Sequence, residues 1–128
     1  MARILLVDDE RDVVTLIKFM LEKDGHMVVA AFDGVEALAK AGIEPRDETA
    51  VTPDLVILDV MMPVMDGYTV YGRLREDART RDVPVMILTA ADATPGRPEN
   101  LHGPVAFLDK PFDPRALRDL VGSMLEKR

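Results

Sequence analysis

The stretch VILDVMMPVMDG, residues 56–67, decides how the chain is read: Val56, Ile57 and Leu58 run straight into Asp59, and two methionines, a proline and a turn follow. An apolar run without alternation is what a strand buried on both faces of a parallel sheet requires. Ending such a run on a carboxylate is costly. A carboxylate in that position loses hydration, and takes up a proton unless a cation or hydrogen-bond donors meet it. The rest of the chain has to supply that company.

Working outward, residues 3–8 (RILLVD) repeat the pattern of a buried strand ending on acid. In ERDVVTLIKFMLEKDG, Val13, Val14, Ile17, Met20 and Leu21 recur at helical spacing, and Gly25 marks a stop. MVVAAF (27–32) reads as a second strand and GVEALAKAG (34–42) as a short helix with Val35 and Leu38 inward, while EPRDETAVTP (44–53) is a loop. DLVILD is the third strand, and DGYTVYGRLRED (66–77) a helix with Val70, Tyr71 and Leu74 as its inner stripe. PVMILTA (84–90) and VAFLDK (105–110) complete five strands. The last helix has Asp113 as cap, Pro114 in its first position, and Leu117, Leu120, Val121 and Leu125 as its buried face. Strands alternating with helices predict a doubly wound α/β fold, with a parallel sheet covered on both sides and right-handed crossovers. Between the fourth and fifth strands, Pro95, Pro98 and Pro104 with Gly96 and Gly103 oppose a regular helix. There the fourth helix is expected to be short, irregular or missing, and residues 93–104 to be mobile.

At 128 residues, with 48% hydrophobic and 30% charged content, one folded domain over 1–128 is expected. The net charge of −7, with basic residues interleaved with acidic ones as in RLREDARTR (73–81), argues against a nucleic-acid or anionic-membrane surface and reads as a solvated helix end. The absence of cysteine excludes disulfides, thiolate nucleophiles and thiolate metal sites. No segment has the length of a membrane span or the pattern of an export signal, so a cytoplasmic location is expected.

In open parallel sheets, ligands bind outside the carboxyl ends of the strands. Those ends carry Asp8 and Asp9, Asp59, Thr89, and Asp109 with Lys110. Taken singly, Asp9 could cap a helix, Thr89 bond its own backbone, Lys110 form a surface ion pair and Asp59 begin a turn. Together they make a cluster. Three carboxylates about 5 Å apart repel by about 3 kcal/mol per pair at an effective dielectric of about 20, more than Lys110 alone balances. Oxygen ligands, with neither His26 nor His102 near those ends, point to Mg²⁺ or Mn²⁺ rather than zinc. Since magnesium takes only one or two protein carboxylates, one carboxylate is left to react, as a phosphoryl acceptor needs.

The motifs VDDE (7–10), LDVMMPVMDG (58–67), LTA (88–90) and DKPF (109–112), in order and at strand ends, resemble response-regulator receiver domains of bacterial two-component signalling almost end to end. The resemblance implies the flavodoxin-like strand order 2-1-3-4-5. It makes Asp59 the acceptor of a phosphoryl group from a histidine kinase or a histidine phosphotransfer protein. Asp9 would ligate the ion directly, Asp8 largely through water, and Met61 through its backbone carbonyl. Lys110 would pair with the phosphoryl group, Thr89 would move its hydroxyl onto it, and Phe107 would be the aromatic switch residue. Ala90 suits the need for a small neighbour, the Lys110–Pro111 bond is expected cis, and Asp66 and Gly67 read as turn and helix start. Met61 and Ala91 hold positions that tune hydrolysis and neither can orient a water, so slow dephosphorylation is expected.

The resemblance further implies a switch that alters the surface around the fifth strand, the last helix and 93–104 for a downstream protein or fused output domain. Such a domain catalyses only its own phosphorylation and dephosphorylation. Two other classes compete: a receiver-like scaffold acting without phosphorylation, which the altered 93–104 segment would suit, and an aspartyl-nucleophile phosphatase, whose Asp-x-Asp motif VDDE lacks. The loop through 44–53 is longer than receivers usually have.

Overall fold

The computed structural model describes residues 2–90 and 103–126. Five strands, β1 (Arg3–Val7), β2 (Met27–Ala31), β3 (Leu55–Asp59), β4 (Val85–Ala90) and β5 (Val105–Lys110), form one parallel sheet in the order β2-β1-β3-β4-β5. The helices among the described residues are α1 (Arg11–Lys23), α2 (Gly34–Lys40), α3 (Gly67–Glu76) and α4 (Pro114–Glu126). The expected fold class is thus observed. The expectation of a short or missing helix between β4 and β5 falls on 91–102, outside the described residues, as do Ala91 and most of the 93–104 segment expected to be mobile.

The unbroken apolar runs have a direct cause: alternate strand residues feed two separate cores. Leu5, Val7, Val56, Leu58, Val85 and Ile87 pack with α2 and α3, whereas Ile4, Leu6, Leu55, Ile57, Met86 and Leu88 pack with α1 and α4. Each layer needs its own apolar face, so no strand position in the middle of the sheet is left for a polar residue. Charge is therefore displaced to the strand ends. At the sheet's exposed margin, the Lys40 ammonium donates to Ala30 O (2.5 Å) and the Phe32 amide donates to Glu36 Oε1 (2.7 Å), so α2 covers backbone groups of edge strand β2.

Several packing expectations need correction. Val35 is 59% exposed, and Gly34 and Ala37 join Leu38 as the buried residues of α2, because a helix of only seven residues presents one narrow stripe to the sheet. In α4, Leu120 and Leu125 are only partly buried, and Met124, one turn beyond Val121, closes the stripe instead. The 73–81 stretch is not a solvated helix end. Arg75 stacks on Tyr71 (4.6 Å to the ring centre) and donates to the carbonyls of Arg81 (2.9 Å), Val83 (2.6 Å) and Pro104 (2.7 Å). This fork ties the end of α3 to the starts of β4 and β5. Gly103 makes room for it: its φ is +87°, and a Cβ there would lie 2.5 Å from Arg75 Nε.

No helix among the described residues is long and apolar enough to cross a membrane.

Candidate functional site

The register decides which residues meet. Val7 lies beside Leu58, Asp59 beside Leu88, and Thr89 beside Asp109, with Ala90 beside Lys110, so the first polar residues of β1, β3, β4 and β5 emerge along one rim. Carboxylate oxygens of Asp8, Asp9 and Asp59 all lie within 4.8 Å of one another. Asp8 and Asp59 are buried, at 0% and 2% exposed, and Asp9 is open to solvent. At that spacing each pair repels by about 3 kcal/mol at an effective dielectric of about 20.

One cation is in place. The Lys110 Nζ donates to Asp8 Oδ2 (3.0 Å) and to Glu10 Oε1 (3.3 Å), and lies 3.5 Å from Asp59 Oδ1. Burial pulls the Lys110 pKa down, but the hydrogen bond to Asp8 and the charges of Asp59 and Asp8 outweigh it, so the group ends above its ordinary value and stays charged. The Asp59 carboxyl moves the other way, pushed up to about 7 by burial and then by the Asp8 charge. Lys110 and the Met61 amide, which donates to Asp59 Oδ1 (3.2 Å), only partly offset this. Without a further cation, the charged form of Asp59 is disfavoured. The donor set therefore fits a hard divalent ion: several carboxylate oxygens, one of them exposed, in a pocket short of positive charge.

Local structure holds these groups. Asp8 turns back to accept from the amide of Glu10 (2.9 Å), the residue at the N-cap position of α1, and no side chain, Asp9 included, caps this helix among the described residues. Asp66 caps α3 by accepting from the Thr69 amide (2.9 Å). Gly67 allows the helix to abut the acceptor strand: its amide donates to Val60 O (3.0 Å), and a Cβ would lie 2.4 Å from Asp59 O. Between them, Val64 is fully exposed with φ +70°, a conformation unfavourable for a β-branched residue. The Lys110–Pro111 peptide is cis, as is Glu44–Pro45.

The remaining site residues fall as follows. Thr89 is buried at the same rim. Phe107 is half-buried against the α2/α3 core and pairs in register with Ile87. The Met61 side chain is exposed, and its backbone takes part in the site. His26 is far from the rim, its Nδ1 accepting from the Ala2 amide (3.2 Å). Sequence reasoning missed Glu10 as a partner of Lys110. The third acid in the run VDDE was the signal, and its direction depends on how the chain turns into α1.

A family model for the response regulator receiver domain matches residues 4–122. The alkaline phosphatase synthesis transcriptional regulatory protein PhoP of Bacillus subtilis is 39% identical over 126 residues, 98% of this chain and 49% of that protein. The response regulator PleD of Caulobacter vibrioides is 44% identical over 113 residues, 88% of this chain and 23% of that protein. This chain thus spans half or less of the length of these two relatives. The solved receiver domain of a sensor histidine kinase from Pseudomonas aeruginosa PAO1, with a magnesium ion coordinated in its active site cleft, has a TM-score of 0.80. It is 30% identical to this chain, with 98% of this chain and 98% of that one covered. With its fold, motifs and family match in agreement, the chain belongs to the response-regulator receiver family of two-component signalling.

Proposed function

We propose that residues 1–128 form one receiver domain that accepts a phosphoryl group on Asp59 from the phosphohistidine of a sensor histidine kinase or a histidine phosphotransfer protein. The observation that carries this reading is the meeting of Asp8, Asp9 and Asp59 oxygens within 4.8 Å, beside Lys110. Asp9, Asp59 and the Met61 carbonyl would hold Mg²⁺, or Mn²⁺ in its place, with Asp8 holding it largely through water. The ion supplies positive charge for the phosphoryl oxygens.

The ionised Asp59 oxygen forms a bond to phosphorus as the phosphorus–nitrogen bond of phosphohistidine breaks, and the leaving imidazole takes a proton. Lys110 then pairs with the phosphoryl group, and the Thr89 hydroxyl donates to it. Phe107 follows Thr89, biasing two packings of the surface around β5 and α4. With Met61 pointing its side chain into solvent, nothing at that position orients a hydrolytic water, which supports slow dephosphorylation. A downstream protein or fused output domain reads the change. The domain itself catalyses only its own phosphorylation and dephosphorylation, in the cytoplasm, without direct contact to nucleic acid or membrane.

Incubation with acetyl phosphate and Mg²⁺, followed by intact-mass measurement, tests the assignment. A single phosphate adduct on the wild type, absent from Asp59→Asn, is expected. An adduct that persists in the variant would overturn the assignment, and steady release of phosphate with turnover would favour a phosphatase.

A further inference from the structure

The unusually long connection between α2 and β3, residues 41–54, is a built structure. Arg46 pairs with Asp77, Arg73 with Glu44, and Arg79 donates to the carbonyls of Gly42 (2.6 Å) and Asp47 (3.2 Å). Gly42, at φ +77°, leaves space that a Cβ would close, since it would lie 2.7 Å from Asp47 O. At its other end the connection is fixed to β1: the Asp54 amide donates to Arg3 O (2.7 Å), and the Arg3 amide donates to Asp54 Oδ2 (2.8 Å).

A loop held at both ends in this way keeps a space open beneath it. A cavity of about 240 Å³ lies between the connection, β1 and β2, room for about eight waters at about 30 Å³ each. Leu5 and Val29 from the sheet and Val51 and Pro53 from the connection are among its apolar walls, and Arg3 and Lys40 also line it. No carboxylate lines it, although the chain carries a net charge of −7. Lys40 is engaged by Ala30 O and by Glu36 at 3.5 Å. Among the described residues, no carboxylate pairs with the Arg3 guanidinium. Val51 is 57% exposed, an apolar wall residue turned partly to water.

We propose that this cavity is a binding site for a small amphipathic acid, with its carboxylate on Arg3 and Lys40 and a short apolar tail against Leu5, Val29, Val51 and Pro53. Apolar walls with a few convergent polar groups are the usual make-up of a small-ligand site, and a guanidinium recognises a carboxylate through two donors. The site sits at the opposite end of β1 from Asp8, so its occupancy is separable from the acidic rim.

Sodium octanoate is the probe, followed by methyl chemical shifts of the full chain, with octan-1-ol as the uncharged control. Saturable shifts of the Leu5, Val29 and Val51 methyls are expected, with octan-1-ol binding about tenfold more weakly. Val51→Asp, which places a like charge in the wall at an exposed position, should abolish binding while the melting temperature stays within a few degrees. Arg3→Gln should weaken binding about tenfold. Absence of saturable shifts at those methyls, equal binding of the alcohol, or undiminished binding to a folded Val51→Asp variant would each overturn the proposal.

Discussion

The two ends of the sheet are built on opposite electrostatic plans. At the strand starts, two arginines are met largely by neutral backbone: Arg75 donates to four carbonyls and rests on Tyr71, and Arg79, 3.8 Å from Asp77 Oδ1, donates to Gly42 O and Asp47 O. At the strand ends, three carboxylates share one lysine, and Asp59 is pushed up to about 7. Arginines bound to backbone carbonyls tie the elements together at one end, whereas incomplete charge balance at the other makes the site ready for a cation and a phosphoryl group. Stability and reactivity are thus placed on different termini of the same strands.

Removing the imbalance should have the largest effect. An acid whose folded pKa lies above its unfolded value binds more protons when folded, so its contribution is full below about 4 and is lost as pH rises through about 7. Metal-free wild-type protein should therefore lose stability across that window. Asp59→Asn should not, and at pH 8 without metal it should be about 4 kcal/mol more stable in urea denaturation. A variant no more stable than wild type would show that the rim is already balanced.

Gly67→Ala attacks the seam between the two plans. Its Cβ would lie 2.4 Å from Asp59 O, so α3 must move off the strand, costing about 3 kcal/mol and weakening Mg²⁺ binding with it. Chemical denaturation and metal titration on the same sample measure both. Loss of stability with unchanged metal affinity would mean that α3 does not position Asp59.

Arg75→Ala should do the reverse, lowering stability by about 2 kcal/mol through orphaned carbonyls while Mg²⁺ affinity stays within about twofold. A large change in metal affinity would couple the two ends and remove the distinction between them. The smallest effect is expected at Val64→Asn: asparagine tolerates φ +70° and the fully exposed valine surrenders no packing, so a gain of about 1 kcal/mol should appear in the same assay.

Much of this was legible in the sequence because the chain writes its layers plainly. Consecutive apolar residues such as Val56–Leu58 report a strand with a core on each face, and the first acid after each run reports where the sheet meets water. The sequence pattern thus assigns Asp8, Asp9, Asp59, Thr89 and Lys110 to one rim. Side chains whose direction depends on a helix's rotation or on a turn were not legible. Val35 faces solvent, Met124 replaces Leu120 in the α4 stripe, and Arg75 turns from an expected solvated end into the carbonyls of two strand starts. In the helical cases several rotations bury similar apolar area, and only tertiary packing chooses among them. Glu10 belongs to the same class, since its contact with Lys110 spans 100 residues.

The most direct test is Mg²⁺ affinity by calorimetry at pH 6 and pH 8. Because the Asp59 proton must leave before the ion is held, the apparent affinity should rise about tenfold between these values, and Asp59→Asn should flatten the dependence. An affinity that is the same at both pH values, or no magnesium uptake at all, would contradict the account.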